Sequence, residues 1–163
     1  FSGGIAPIGG ERRLAAWRRT DQPLPACPAG LARAVAEERA CRVILLTPAL
    51  FRAGALPEEL LQPEAGVTPT LFAAAVPRAQ VVSGWDLKAH KPKPTRRLAP
   101  AGAVYFIRFG ERDDPAAIES WVEQRWMTCV SDAAQDRADG FGLAVLGVGP
   151  RAGATMEESD GTS

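Results

Sequence analysis

An α+β domain is the fold class that the sequence predicts, on three observations. Apolar runs rich in β-branched and aromatic residues recur at strand length, the clearest being AVYFIRFG, Ala103 to Gly110. Two other segments, Leu31 to Ala40 and Pro115 to Met127, carry helix formers with apolar residues at helical spacing. No repeat or low-complexity block interrupts the succession, and 163 residues at 46% apolar content suffice for one real core. A single domain over residues 1–150 follows, with the polar end RAGATMEESDGTS (151–163) expected as a disordered tail.

The elements follow in order. ERRLAAWRR (Glu11 to Arg19) is short and mixed and reads as a strand, and TDQPLPACPAG after it is a proline-rich connector. LARAVAEERA (Leu31 to Ala40) is a helix with Leu31, Ala34 and Val35 on one face. It runs into CRVILLTP, a strand that Pro48 stops, and LPEELLQP gives a turn of helix between prolines. TLFAAAVPRAQVVSGWDL is a strand with a bulge or break at Pro77, and AVYFIRFG is the next strand. Asp114 followed by Pro115 is an N-cap before an N1 proline, and the helix it opens sets Ile118, Trp121, Val122 and Trp126 on one face. GFGLAVLGVG closes the chain as a glycine-punctuated strand.

That order is what a ferredoxin-like (RRM-like) domain shows when its middle carries an inserted hairpin or loop, here residues 83–102. Such a sheet has helices on one face, and its free face commonly serves as an RNA platform. The segment DGFGLAVL matches the RNA-recognition pattern only at Gly140, Phe141 and Gly142. The aromatics that would stack on bases are replaced by Leu143 and Leu146, so an ordinary RNA-recognition motif is excluded. Two readings of the glycines stay open: close approach of backbone N–H groups to a sugar-phosphate chain, or a tight turn feeding a buried strand.

Charge is the feature that points outward. The chain is neutral, with 19 basic and 19 acidic residues, yet Lys88 to Arg97 holds five lysines and arginines, one histidine and no acid. From Arg78 to Arg108 the local net is +6, and from Glu111 to Asp139 it is −5. A positive face attracts phosphates or acidic partners. Lys88, Lys91, Lys93, Arg96 and Arg97 would neutralise phosphates, Pro92, Pro94 and Pro100 would keep the loop extended, and Trp85 would either stack on a splayed base or pack beside a strand end. Trp17, Trp121 and Trp126 fall to the core or to subunit contact.

Other classes find little support. No run approaches the apolar length needed to cross a bilayer, and FSGGIAPIGG lacks the marks of a secretory signal, so a cytoplasmic protein without membrane contact is expected. Cys27, Cys41 and Cys129 are widely spaced and read as free thiols. No Walker motif, nucleophile elbow, metal-ligand cluster or cofactor motif appears. Asp113 and Asp114 read as capping acids, and Glu37 and Glu38 as helix-surface acids.

GGERRLAAW, RVILLTPALF, VVSGWDLKAHKPKPTRRLAPAGAVYFIRF and GFGLAVLGVG, in this order and spacing, resemble the RAMP-superfamily subunit numbered three of type III-B (Cmr) CRISPR effector complexes. The likeness runs from about Gly9 to Gly149, and the central basic stretch is its most specific part. The chain looks like the C-terminal portion of such a protein. The resemblance implies a non-catalytic subunit of antiviral defence that helps hold the 5′ handle of the guide RNA (crRNA), docks on the large polymerase-like subunit, sits beside other RAMP subunits and needs no cofactor. His90, Phe141 and the two glycines then join the basic residues and Trp85 as the expected RNA contacts. Two alternatives are a guide-processing endoribonuclease using His90 as general acid or base, as in some RAMP relatives, and a pure assembly module whose basic loop meets an acidic protein.

Overall fold

The computed structural model describes residues 3–7, 14–86, 88–92 and 94–150, with every side chain in those spans except those of Ala6, Pro7, Trp17 and Asp86. Expectations that fall on residues 11–13, Lys93, the Trp17 side chain and the tail 151–163 lie outside the described residues. In chain order the elements are β1 (Gly3–Pro7), β2 (Leu14–Arg18), α1 (Leu31–Glu38), β3 (Ala40–Leu45), a 3-10 turn (Glu59–Leu61), β4 (Thr70–Ala75), β5 (Gln80–Val82) and β6 (Trp85–Asp86). There follow β7 (Lys91–Pro92), β8 (Arg96–Leu98), β9 (Val104–Arg108), α2 (Pro115–Arg125), β10 (Thr128–Cys129), α3 (Ala134–Ala138) and β11 (Leu143–Val148).

The chain is a mixed α and β protein whose sheets are antiparallel. Its main sheet has five strands in the order β10-β11-β3-β9-β4, and every neighbouring pair runs antiparallel. Alternation decides its faces. Val43 is in register with Tyr105 on one side and Leu146 on the other, so Cys41, Val43, Leu45, Tyr105, Ile107, Ala144 and Leu146 all turn to the buried side. Ala32, Val35 and Ala36 of α1 and Ile118, Trp121 and Val122 of α2 close over them. Each fully buried Val, Leu or Ile in this layer contributes about 1.5–3 kcal/mol. Arg42, Ile44, Val104, Phe106, Arg108 and Val145 occupy the opposite face, which none of the described helices covers to the same degree.

Local chemistry sets the ends of the helices. The Asp114 carboxylate accepts from the Ala116 N–H at 3.2 Å, and Pro115 takes the first helical position, where no N–H is required. Helix α1 stops at Glu38, two residues short of the predicted Ala40, because Arg39 turns left-handed (φ 50°) and Ala40 already pairs with Arg108. Its buried stripe is Ala32, Val35 and Ala36, while Ala34 is only half-buried.

One expectation changes. The predicted first strand forms as β2 but pairs only with β1, in a separate two-stranded sheet, because the proline-rich connector lies between it and α1 and carries no ladder. The main sheet therefore begins at β3, and α1 precedes it. The basic insertion, expected as a hairpin or loop over 83–102, is a hairpin arm in which β5 pairs with β8 and β6 with β7, the pairing beginning at Gln80.

Candidate nucleic-acid interface

The arm is a ribbon of two short ladders. Val81 lies opposite Arg97, Val82 opposite Arg96 and Trp85 opposite Pro92. Both strands of such a ribbon are edges, so Pro92 costs it no interior hydrogen bond. Every described residue from Pro77 to Arg97 whose side chain is placed is exposed, and then Leu98 is buried at 1%. The apolar foot grips the core while the charged length stands in water. At the tip His90 takes a left-handed conformation (φ 48°), and Trp85 is 56% exposed.

The foot has two attachments. Ala49 and Ala99 exchange backbone hydrogen bonds at 2.8 and 2.9 Å. The Arg96 guanidinium gives both terminal nitrogens to Asp136, at 2.8 and 2.7 Å, and Asp136 is 5% exposed. That carboxylate bond raises the Arg96 pKa, against an opposing effect of desolvation. Among the described residues no carboxylate is paired with Lys91 or Arg97. The expected phosphate contacts thus divide: Arg96 is held by protein, Lys88, His90, Lys91 and Arg97 are exposed along the arm, and Lys93 lies outside the described residues.

The glycine loop lies against the same foot. The Phe141 N–H donates to the Asp136 carbonyl at 3.0 Å, and the Phe141 side chain is half-buried. Gly140 and Gly142 both have positive φ, 86° and 85°, where a side chain is strained. Their surroundings differ. A Cβ on Gly140 would meet nothing within 4 Å, whereas one on Gly142 would lie 2.8 Å from the Ser131 amide nitrogen and 2.8 Å from its hydroxyl. Gly142 faces protein, and its N–H is spent on the Pro48 carbonyl at 2.8 Å.

Polar residues that sequence reasoning did not select hold this loop in place. Ser131 Oγ accepts from the Leu50 N–H and donates to the Phe141 carbonyl. Asp132 accepts from the backbone N–H groups of Arg52 and Glu59. Thr47 Oγ1 donates to the Gly140 carbonyl and accepts from the Leu143 N–H, both at 2.8 Å. Arg137 donates to the carbonyls of Ser131 and Asp132. A cleft of about 360 Å³ lies at the arm's foot, lined by Phe51, Arg52, Arg96, Arg97, Asp132 and Asp136. The only signal in the sequence was the run of acids at 132, 136 and 139, which names no partner forty residues away.

The acidic segment from Glu111 to Asp139 is not a uniformly solvated negative surface. Asp113, Asp132 and Asp136 are buried, and Asp113 accepts from the N–H groups of Gly110 and Thr68. Trp121 is core, and Trp126 is partly buried with its indole N–H on the Pro25 carbonyl. Cys41 is buried, which pushes its thiol up to about 12, while Cys27 and Cys129 are half-buried, and all three are free. Among the described residues no three His, Cys, Asp or Glu side chains converge as a metal site, and no helix is long and apolar enough to cross a membrane.

The model of the family CRISPR-associated protein (Cas_Cmr3) matches residues 2–149, taking in the arm, its foot and the glycine loop. The chain belongs to that family. Membership makes it a CRISPR-associated subunit of the Cmr kind, as the resemblance implied. No curated protein matches the chain.

Proposed function

We propose that this Cmr-family chain is a non-catalytic RNA-binding subunit of a type III-B effector complex, in which the basic arm and the cleft at its foot hold the 5′ handle of the guide RNA. The observation that carries the reading is the arm: a projecting ribbon with Lys88, His90, Lys91 and Arg97 exposed and an exposed Trp85 beside them. Lys91 and Arg97, which no carboxylate among the described residues holds, release counterions when they meet phosphates, and an exposed indole face can stack on a base. Arg97 also lines the cleft, beside Arg52 paired with Glu59 and Arg96 paired with Asp136.

Docking on the large polymerase-like subunit and on neighbouring RAMP subunits falls to the open sheet face. Ile44, Val104, Phe106 and Val145 are half-exposed there beside Arg42 and Arg108, and β3, β4, β9 and β11 contain no acid. A ferredoxin-like fold belongs to this reading. Its support is the strand order: β3 and β9, the first and third long strands of the sheet, lie at the centre, with β4 and β11 flanking them. The departure is that α1 stands before β3, and residues 46–69 with their 3-10 turn make the connection to β4.

Salt titration of RNA binding tests the proposal. Five phosphate contacts on a single strand would give a slope of log affinity on log salt of roughly −3.5, and holding Arg96 on Asp136 lowers its magnitude by about 0.7. Replacing Lys88, Lys91, Lys93 and Arg97 with Ala flattens it. An unchanged slope and unchanged crosslinking in the intact complex overturn the RNA reading and favour an acidic protein partner, which Arg96 shows an arm arginine can accept. His90 is the only histidine of the chain and lies at the exposed tip, with no second general acid or base proposed for it, so His90→Ala is expected to leave guide maturation and target cleavage intact. A fall of about a hundredfold would establish the endoribonuclease instead.

A further inference from the structure

We infer that Asp136 is a positioning residue for RNA binding, an acid whose loss weakens affinity for a polyanion because it fixes the angle of the basic arm against the body. The inference rests on the RNA reading of the arm and adds to it the residue that sets the arm's direction.

The ion pair is a directional joint. Both carboxylate oxygens of Asp136 accept from the two terminal nitrogens of Arg96, and this planar fork fixes orientation as well as distance. The carboxylate side is itself held. The Asp136 carbonyl accepts from Phe141 N–H, and the neighbouring Arg137 is clamped on the carbonyls of Ser131 and Asp132 at 2.7 and 2.6 Å. The arm's other anchor at this foot, the Ala49–Ala99 bridge with buried Leu98, is one point on a ribbon and acts as a hinge. Arg96 supplies the second point, and two points set an angle.

The lever is long enough to matter. Six residues separate Arg96 from His90, at most about 20 Å of extended chain. A tilt of about 10° at the foot then moves the tip by about 3–4 Å, more than a hydrogen bond to a phosphate oxygen tolerates. Charge alone predicts the opposite sign: removing an acid beside a basic arm, and freeing Arg96, should strengthen attraction for RNA and steepen the salt slope by about 0.7.

Two variants of the full chain separate these outcomes. Asp136→Asn keeps the side-chain shape and the backbone bond to Phe141 but loses the charge; Arg96→Lys keeps the charge but loses the fork. Each is expected to lower affinity for a fluorescein-labelled single-stranded RNA of about ten nucleotides by about fivefold or more, and the double variant to lose no more than either single one. In the RNA-free variants, amide exchange should accelerate across residues 80–98 while β3 and β9 keep their protection. Unchanged or increased affinity in Asp136→Asn, additive losses, or unaltered exchange in the arm would overturn the inference. If Lys91→Ala and Arg97→Ala also leave binding untouched, the RNA reading itself fails; if they weaken it while Asp136→Asn does not, only the positioning role falls.

Discussion

The arm (residues 80–98) and the acidic segment (111–139) carry charge runs of opposite sign and comparable strength, and they put them to opposite uses. Along the arm the cations stand in water, and the partner that would satisfy Lys91 and Arg97 is not within the described chain. In the acidic segment three carboxylates turn inward and take up backbone N–H groups or a guanidinium. A buried carboxylate that accepts several hydrogen bonds is structural, whereas an exposed cation costs little to lose and is available for binding. The one place where the two runs meet, Arg96 on Asp136, joins the binding element to the scaffold.

The sharpest test of that contrast is stability. Asp132→Ala leaves the amides of Arg52 and Glu59 without their acceptor in a part-buried loop, and should cost about 4 kcal/mol, a fall of about 8–16 °C in thermal midpoint. A loss under about 1 kcal/mol would break the comparison by placing the inward acids among the dispensable charges.

Next in size is the glycine loop between the regions. Gly142→Ala must push Ser131 aside and holds a left-handed residue, so about 2–3 kcal/mol is expected; Gly140→Ala has only its backbone strain, about 1 kcal/mol. Paired thermal melts measure the difference, and equal losses would mean that packing against Ser131 yields freely.

A smaller effect lies in the core. Tyr105 and Cys41 are raised by burial to about 12 from ordinary values of 10.0 and 9.0. Above pH 9 the unfolded chain ionises these groups while the folded chain keeps their protons, so their stabilisation is full below that pH and is lost as pH rises towards about 12. Tyr105→Phe should flatten the Tyr part of this decline in pH-dependent melts, and because the buried hydroxyl has no partner among the described residues it should cost under about 1 kcal/mol at neutral pH. The smallest change is expected on the arm itself: Lys91→Ala shifts stability by less than about 0.5 kcal/mol while weakening RNA binding, a separation visible by running melts and titrations on the same preparation.

Part of the site was legible because charge and local turn chemistry are written residue by residue. The exposed cations of the arm, the Asp114–Pro115 helix start and the turn glycines could be named from the chain alone. What could not be named was partnership. Nothing about Arg96 distinguishes it from Arg97 in sequence, yet one faces a buried carboxylate and the other does not. Ser131, Asp132 and Thr47 are small polar residues of the kind found in any loop, and they matter because segments far apart in the chain present unpaired N–H and C=O groups to them.

The sequence by itself determined the longer strands β3, β4, β9 and β11 and the helices α1 and α2, since alternation, helical spacing and capping act over a few residues, but it did not mark β1, β10 or α3. It also determined that positive charge would gather between β4 and β9. Only the tertiary structure decided that β2 stays out of the main sheet, which residues pair along the arm, that Gly142 is closed off by Ser131, and that Asp136 fastens the arm. These depend on which distant backbone and side-chain groups come within hydrogen-bonding or van der Waals distance, about 3–4 Å, and such proximity is set by the packing of the whole sheet and its helices.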